Sequence, residues 1–326
     1  MRLTTGLVLA VVSVVVSVAA GAGLVAAEPT TGAPEGDGAT SAIVAARSRS
    51  GAADDYWTEE RMLAAIPTDI EVPDEGLAPR NLSSEMGVVT ESGPAGDASD
   101  PVYPVPEDAR SRAVPVPATT GKLFYTWAGG NYVCSASVIN SAKKNVIMTA
   151  GHCVYEAKKG WHDNLVFVPA YYNGSAPYGK WSWSTARTFT AWQNDSAWSH
   201  DQAFLTLAPL GGRNIVDVVG GNGLSWGYGT GMAGVRIWGY PAEGKYNGQL
   251  PYYCDGTTTD RSAFDDDAQL VCDMNGGASG GAWLRARIGD NLGYVYAVTS
   301  RRTLSGTPAL ISTPNPERVK TMFDLM

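Results

Sequence analysis

The chain is poor in the residues from which metal centres and basic binding faces are built. It has 326 residues but only 3 His and 4 Cys, and 32 acidic residues outnumber 24 basic ones, a formal charge of −8. Because His and Cys are the usual transition-metal ligands, a multi-metal enzyme is disfavoured. The acidic balance argues against binding nucleic acid through a basic face. An apolar fraction of 44% excludes wholesale disorder.

Charge is absent between Arg2 and Glu28, where Val, Leu and Ala dominate. The sequence Val25-Ala26-Ala27 at the end of this stretch fits the small-residue pattern that signal peptidase reads. We therefore expect a signal peptide over residues 1–27, a secreted protein, and no stable membrane association after processing. The alternative is an uncleaved anchor, since the uncharged stretch is long enough to cross a bilayer.

Residues 28–112 have few aromatic side chains and little basic charge. They hold 3 of the 31 aromatic residues and 17 acidic against 6 basic ones. We expect a largely disordered acidic segment, because this composition buries too little apolar surface to fold alone. One short helix is predicted between Thr58, a capping residue, and Pro67. The segment ends in a basic-small pattern at residues 110–113, which indicates a pro-segment that is removed; a flexible tail is the alternative.

The remaining part, residues 113–326, lacks long stretches with helical periodicity. Short β-favouring runs alternate with clusters of Gly, Asn, Pro and Asp, which predicts an all-β domain of barrel or sandwich type. Only the last dozen residues favour a helix, beginning at Pro316. The predicted strands are 133–139, 145–150, 164–168, 203–207, 235–240 and 294–299.

All four cysteines lie in this second part. In an oxidising compartment an even number of cysteines is expected to pair, and four cysteines allow three connectivities. The local pairs are Cys134 with Cys153 and Cys254 with Cys272, and each would close a short loop.

Three separated segments carry the residues of nucleophilic catalysis. His152 ends a predicted strand, Asp201 precedes one, and Ser279 lies in a glycine run. A serine hydroxyl needs a base to take its proton, and His has its pKa near neutrality. A buried carboxylate would fix the imidazole tautomer. The backbone N–H groups of Gly277 and Ser279 are candidates for the oxyanion hole, because glycines let the backbone turn and expose its donors.

The order of these residues along the chain separates the possible architectures. Ser279 also fits the Gly-x-Ser-x-Gly elbow of α/β-hydrolases, but no His follows it. A subtilisin-like order would require an acid from the leader. The order His152, Asp201, Ser279 fits without either difficulty. Asp163 and Asp195 are alternatives to Asp201, which is favoured because an apolar alternating strand follows it directly.

With these motifs the sequence resembles the chymotrypsin-fold, trypsin-like serine proteases, and among them the secreted bacterial glutamyl-endopeptidase-like branch. The matching segments are 149–153, 201–205, 277–281 and the Cys134 strand. The resemblance implies two six-stranded antiparallel β-barrels with the site between them. It implies peptide-bond hydrolysis through an acyl-enzyme, with His152 as base and acid, Asp201 orienting it and Ser279 attacking. Protein or peptide substrates, no cofactor and a monomer are expected.

The sequence departs from the family at two places. Most animal-type members have Asp before the nucleophile, where it pairs with the new N-terminus, whereas this chain has Ala278. Activation by that ion pair is therefore excluded, and we expect the leader to cover the cleft or assist folding. The residues expected in the substrate pocket give conflicting indications: a carboxylate would favour basic side chains, whereas two arginines could receive acidic ones. These pocket residues are Asp273, Thr299 and Ser300, followed by Arg301 and Arg302.

Other polar residues have simpler interpretations. His162 and His200 are expected on the polar surface, and Asp265, Asp266 and Asp267 in a solvated acidic loop, with a calcium site as the alternative. The leading function is a secreted serine endopeptidase made as a precursor. The alternatives are a catalytically silent protease-like binding module and an esterase on the same fold.

Overall fold

The structure is a computed structural model that describes residues 42–48, 53–72, 94–103, 116–262 and 265–326. Within these ranges, no helix has the length and apolar character needed to cross a membrane. The predicted signal peptide and the predicted cleavage region at residues 110–113 lie outside the described residues.

Six antiparallel strands in the first half of the protease part close into a barrel. Each strand pairs with its neighbours, and the ring closes where the third strand meets the sixth. The core is the inward face of these strands, which includes Leu123, Val138 and Leu205. The six strands are Thr120–Trp127, Gly130–Ile139, Val146–Thr149, Asp163–Pro169, Trp181–Phe189 and Ala203–Leu207.

The second half forms two further sheets. One core cluster lies within this half, and another is shared with the first barrel through residues such as Met148 and Phe204. One sheet is built on the long hairpin Ala282–Ile288 and Leu292–Val298, and the other on the pair Ala268–Val271 and Ala309–Ser312. The all-β class expected from the sequence is confirmed. The other strands of this half are Gly223–Trp226, Val235–Gly239, Tyr252–Gly256, Thr259–Asp260 and Arg301–Thr303; the small hairpin Tyr155–Glu156 and Gly160–Trp161 stands apart.

Helices are short. The predicted C-terminal helix is confirmed over Glu317–Asp324, and it buries Val319 and Met322. The predicted leader helix is present over Glu59–Ala64, where the Thr58 hydroxyl accepts a hydrogen bond from the Arg61 backbone N–H. The remaining helices are Ala53–Tyr56, Thr190–Asp195 and Val216–Val219, with 3₁₀ turns at Gly151–Cys153 and Trp198–His200.

The described parts of the leader, residues 42–48, 53–72 and 94–103, lie against the protease part. Ile43–Arg47 adds an edge strand to the first barrel, beside Thr185–Phe189, and Gly96–Ser99 adds one to the second half. Edges that the protease part supplies complete the backbone hydrogen bonds of these segments, so their pairing does not depend on a core within the leader.

Two disulfides join the local cysteine pairs. Cys134 is bonded to Cys153 and Cys254 to Cys272, and the described residues contain no free cysteine. Both bridges link neighbouring strands or turns, and the first fixes the residue that follows His152.

Lys122 is a buried lysine without a carboxylate partner. Its Nζ donates to the Gly248 carbonyl at 3.0 Å and lies over the rings of Phe124 and Tyr171. Burial lowers the pKa of its amine to about 7. Between that value and the ordinary 10.5, the unfolded chain binds the proton and the folded protein does not, so stability rises with pH over this range.

Replacing Lys122 with Met should remove this pH dependence. We expect the melting temperature of the wild-type chain to approach that of Lys122→Met as the pH rises from about 7 to about 10. Thermal melts in the Ser279→Ala background avoid self-digestion, and exposed Lys143→Met is the control. A constant difference between Lys122→Met and its parent across this range would contradict the burial account.

Candidate active site

Two paired strands bring His152 and Asp201 together. His152 follows the strand Val146–Thr149, and Asp201 precedes the strand Ala203–Leu207. These strands are antiparallel with Thr149 opposite Ala203, so the end of one meets the start of the other. Gly151 permits the close approach, because a Cβ there would lie 3.0 Å from Asp201 Oδ1.

Asp201 is fully buried and its carboxylate is surrounded by donors. Oδ1 accepts from the His152 backbone N–H at 2.8 Å, and Oδ2 lies 2.8 Å from His152 Nδ1. The Ser300 hydroxyl donates to Oδ2 at 2.6 Å. Burying a carboxylate is costly unless such bonds replace water, and here they also fix the imidazole so that Nε2 faces away from Asp201. The other candidates, Asp163 and Asp195, are exposed.

Ser279 is held by contacts that cross between the two halves of the protein. The Ser135 backbone N–H donates to the Ser279 carbonyl at 2.7 Å, and the Ser135 hydroxyl donates to the Gly277 carbonyl at 2.8 Å. The same hydroxyl accepts from the Tyr240 backbone N–H at 2.9 Å. Sequence reasoning missed this positioning role of Ser135, because one serine in a β-strand carries no local signal.

The glycines around Ser279 are required by the backbone. Gly277 and Gly280 have φ of +96° and +77°, in the left-handed region that glycine adopts readily. Ala278 is buried and packs against Gly239, in the position where the family often has an acid. The Gly277 N–H points out of this turn and donates to the carbonyl oxygen of Thr68, a leader residue, at 3.2 Å. It therefore presents a donor beside the serine.

The Ser279 hydroxyl is not bonded to His152 in this form of the protein. Its Oγ donates instead to the same Thr68 carbonyl oxygen at 3.4 Å. His152 Nε2 is buried and has no hydrogen-bond partner among the described residues. The imidazole and the hydroxyl are thus both present, and the Thr68 carbonyl of the leader lies against the hydroxyl.

A cavity of about 180 Å³ lies beside residues 272–275, the segment that leads into the glycine run of Ser279. Asp273 and Arg302 line it, whereas Thr299 and Ser300, which were expected there, are not among its lining residues. Their hydroxyls are engaged elsewhere, because Thr299 Oγ1 accepts from the Trp283 indole at 3.0 Å and Ser300 donates to Asp201. The cavity walls are residues 272–275, 302–306, 308 and 309.

The charged residues near the cavity have partners. Tyr246 donates to Asp273 at 2.7 Å and Lys245 forms an ion pair with it, which lowers the pKa of the Asp273 carboxyl. Arg302 contacts three carboxylates: Asp69 and Glu71 of the leader, and Glu243 at 3.1 Å.

Arg301 lies away from the cavity, buried in an ion pair with Asp267. Asp267 is itself buried and also accepts from the Thr313 hydroxyl at 2.6 Å, so it is not the solvated residue that the acidic run suggested. A sequence of three acids does not reveal which one turns inward.

The other two histidines are buried, not on the surface as expected. His162 stacks on Tyr125 with ring centroids 4.2 Å apart, and His200 packs edge-on against Phe189. Burial lowers the pKa of His162 to about 4 and that of His200 to about 3. Both imidazoles therefore stay neutral at neutral pH and act as packing residues.

The described residues contain one group of potential metal ligands, Cys134, His152 and Cys153. The two sulfurs are joined in a disulfide and His152 Nδ1 faces Asp201. Because thiolates are the form of cysteine that binds metal, this donor set does not fit a metal ion.

Several solved proteases share this fold. The protease Anisep from Arthrobacter nicotinovorans is 31% identical, with 65% of this chain covering 97% of that protein at a TM-score of 0.61. The thermostable serine protease AL20 from an extremophilic microorganism is 28% identical, with coverages of 64% and 96% and a TM-score of 0.60. A Glu endopeptidase, at 21% identity and a TM-score of 0.50, with coverages of 69% and 95%, shares the fold.

One curated protein also matches, and no family model does. It is the extracellular metalloprotease of Bacillus subtilis (strain 168), 26% identical over 93 residues. The match spans 28% of this chain and 29% of that protein, so it covers under a third of either. The nearly full coverage of Anisep at 31% identity is decisive. The chain belongs to the chymotrypsin-fold serine proteases.

Proposed function

We infer that residues 113–326 are a secreted serine endopeptidase, synthesised behind a signal peptide at 1–27 and a pro-segment at 28–112. The protease Anisep, with 97% of its length matched by 65% of this chain, supports a catalytic part of this size. Two disulfides support an oxidising compartment, since such bonds persist outside the cytosol. Proteins and peptides are the substrates.

In the proposed reaction His152 acts as base and then as acid. Its Nε2 takes the proton from Ser279 Oγ as that oxygen attacks the substrate carbonyl carbon. Asp201 holds Nδ1 and offsets the charge of the imidazolium. The oxyanion of the tetrahedral intermediate accepts from the N–H groups of Gly277 and Ser279. His152 then gives its proton to the leaving amine, which leaves an acyl-enzyme on Ser279.

Water completes the cycle. His152 Nε2 takes a proton from the water as it attacks the acyl carbonyl, and returns it to Ser279 Oγ when the ester bond breaks. No cofactor enters these steps. The observation that carries the proposal is the buried Asp201–His152 pair beside a serine whose neighbouring backbone N–H already holds a peptide carbonyl oxygen.

Hydrolysis of matched amide and ester substrates by the secreted enzyme, processed and freed of residues 28–112, tests this function. We expect both to be cleaved, and both rates to be lost in Ser279→Ala and in His152→Ala. Cleavage of the ester alone would identify an esterase. Cleavage of neither by folded protein freed of residues 28–112 would favour a binding module.

We expect the cavity to favour acidic over basic side chains. Arg302 already receives Asp69 and Glu71, whereas the Asp273 carboxylate is occupied by Lys245 and Tyr246. Short peptides with Glu, Arg or Phe before the cut measure this preference on the processed enzyme.

Arg302→Ala should lower kcat/KM for the Glu peptide by about tenfold more than for the Phe peptide. This is the size expected when a substrate carboxylate loses one charge-assisted hydrogen bond. Asp273→Asn is the matched control and should change the Glu-to-Phe ratio little. Equal rates for the Glu, Arg and Phe peptides in the wild type would contradict the expected preference. A loss of kcat/KM in Asp273→Asn that is confined to the Arg peptide would instead indicate a preference for basic side chains.

A further inference from the structure

Residues 66–72 of the leader, here called the strap, cross the cleft between the two halves of the protease. Ile66–Pro67 pairs with Tyr132–Val133 of the first barrel, and Glu71–Val72 pairs with Arg302–Thr303 of the second half. Both pairings are parallel. Backbone bonds continue them: Thr68 N–H to the Val133 carbonyl at 3.2 Å and Arg302 N–H to the Ile70 carbonyl at 3.0 Å.

The middle of the strap occupies the catalytic centre. The Thr68 carbonyl oxygen takes both the Gly277 N–H and the Ser279 hydroxyl, at 3.2 Å and 3.4 Å. Because the hydroxyl proton is directed to an oxygen and not to His152 Nε2, the serine is not activated toward the strap. The Thr68 hydroxyl is bonded to the hydroxyl of Tyr125, a fully buried side chain, which fixes this residue further.

The acidic side chains of the strap face Arg302. Asp69 Oδ2 lies 2.5 Å from Arg302 Nε, and Glu71 contacts the same guanidinium. Asp69 also lies against Gly276, where an added Cβ would be 3.1 Å from the Asp69 Cβ. Arg302 of the protease part, which also contacts Glu243, thus receives two carboxylates of the leader.

A second point of attachment lies upstream, at Trp57. This side chain is fully buried and packs on Phe124 with ring centroids 5.2 Å apart. Its indole N–H donates to the Asn164 carbonyl at 2.7 Å, and Lys180 Nζ donates to the Trp57 carbonyl at 3.0 Å. Most of the pocket comes from the protease part, and Ala53 and Met62 of the leader complete it. The other walls from the protease part are Val133, Val166, Val168, Tyr171 and Tyr240.

We propose that residues 53–72 are a two-point inhibitor, held by Trp57 and by the strap, that remains on the protease after the leader is cut from it. This rests on the proposed function, in which Ser279 is the nucleophile and the cut falls at residues 110–113. Every contact described above lies within residues 53–72, within the protease part or between the two, so a cut at 110–113 breaks none of them. Cutting there is necessary but does not release activity; the inhibitor must then dissociate or be degraded.

The surface that receives this inhibitor fits an extended acidic peptide, whose strand direction is parallel to both edges of the cleft. The peptide carries a tryptophan eleven positions before the residue whose carbonyl oxygen contacts Ser279. The strap is bound without being hydrolysed, because the Ser279 hydroxyl donates its hydrogen bond to the Thr68 carbonyl oxygen and not to His152 Nε2.

The test uses the full chain with residues 110–113 replaced by the recognition site of a sequence-specific protease. After a quantitative cut, we expect the leader and the protease part to co-elute from a sizing column. Activity on a short peptide should stay within about twofold of the uncut chain. In Trp57→Ala the same cut should raise activity at least tenfold, since loss of a buried aromatic anchor weakens such contacts strongly.

A second variant keeps the test valid where Trp57→Ala misfolds. The double change Asp69→Asn and Glu71→Gln removes the two leader charges that meet Arg302, and should raise activity after the cut at least threefold. Glu60→Gln, an exposed helix residue, is the matched control and should behave as the wild type.

Full activity of the cut wild type, or recovery of a strap cleaved at Thr68–Asp69, would overturn the proposal. Labelling of Ser279 by an active-site phosphonofluoridate in the cut variants separates this failure from that of the proposed function. If no variant is labelled, the serine itself is not activated.

Discussion

Asp201→Asn is expected to lower kcat by about 10⁴-fold while leaving the fold intact. The carboxylate faces donors on both oxygens: the His152 N–H, the Ser300 hydroxyl and His152 Nδ1. An amide can accept only through its single oxygen. If that oxygen keeps the backbone N–H, the NH₂ group faces Nδ1 and forces the imidazole to carry its proton on Nε2, where it cannot accept the proton of Ser279.

Two matched variants accompany this measurement. Asp163→Asn and Asp195→Asn remove the carboxylates that the sequence left as alternatives, and both residues are exposed. We expect the kcat/KM of these two variants to equal that of the wild type. The melting temperatures of all three variants, Asp201→Asn included, should lie within a few degrees of the wild-type value. Wild-type activity in Asp201→Asn would show that another acid orients the imidazole.

Gly280→Ala is the second change with a large expected effect. Gly280 has φ of +77°, and a Cβ there would overlap Thr149 Oγ1 and the Ser135 carbonyl oxygen and lie 3.0 Å from the Ala150 nitrogen. The left-handed conformation costs an alanine about 1 kcal/mol, and overlap with the barrel adds about 1–3 kcal/mol. Relief of the overlap would move Ser279 from the strand of Ser135. We expect at least a 100-fold loss of kcat/KM.

Gly212→Ala is the control that isolates the conformational cost of placing an alanine at a left-handed φ. Gly212 has nearly the same φ, +76°, but a Cβ added there meets no atom within 4 Å. We expect this variant to lose about 1 kcal/mol of stability, measured by chemical denaturation, and to keep its activity. Equal losses in the two variants would mean that the contact between Gly280 and the first barrel is not important.

The sequence contained enough information for the framework of the fold. The strand Ala203–Leu207 was predicted with its observed bounds, because five apolar or β-branched residues follow a polar turn. The strand Trp181–Phe189 was missed, since its Ser, Thr and Arg residues obscure the inward-facing Trp181 and Trp183. Strands that are rich in polar residues form because they pair with distant strands, and local residue propensity does not predict that pairing.

The nucleophile, base and acid could be proposed from residue type and chain order, whereas their supports could not. Ser135 and Ser300 act through hydroxyls whose partners lie 142 and 99 positions away in the chain. The contacts of Trp57 were missed for a related reason. In the sequence, Trp57 and the neighbouring Tyr56 stand in an acidic segment with few aromatic residues, and only the fold assembles the pocket that receives the Trp57 ring.

The hydrogen bond between Asp201 and His152 is present in the same structure in which the Ser279 hydroxyl is bonded to the leader. The pair is already formed, while the Ser279 hydroxyl is bonded to the Thr68 carbonyl of the strap and Nε2 has no partner among the described residues. Release of the strap is therefore expected to need no rebuilding of the site, in contrast to activation by a new N-terminus, for which Ala278 offers no carboxylate.

Labelling of the secreted protein, processed and freed of residues 28–112, with an active-site phosphonofluoridate and location of the adduct by mass spectrometry would show whether Ser279 is an activated nucleophile. We expect one adduct, on Ser279, which disappears in His152→Ala because the hydroxyl is then no longer activated. An adduct on another residue, or none on the folded protein, would contradict this assignment.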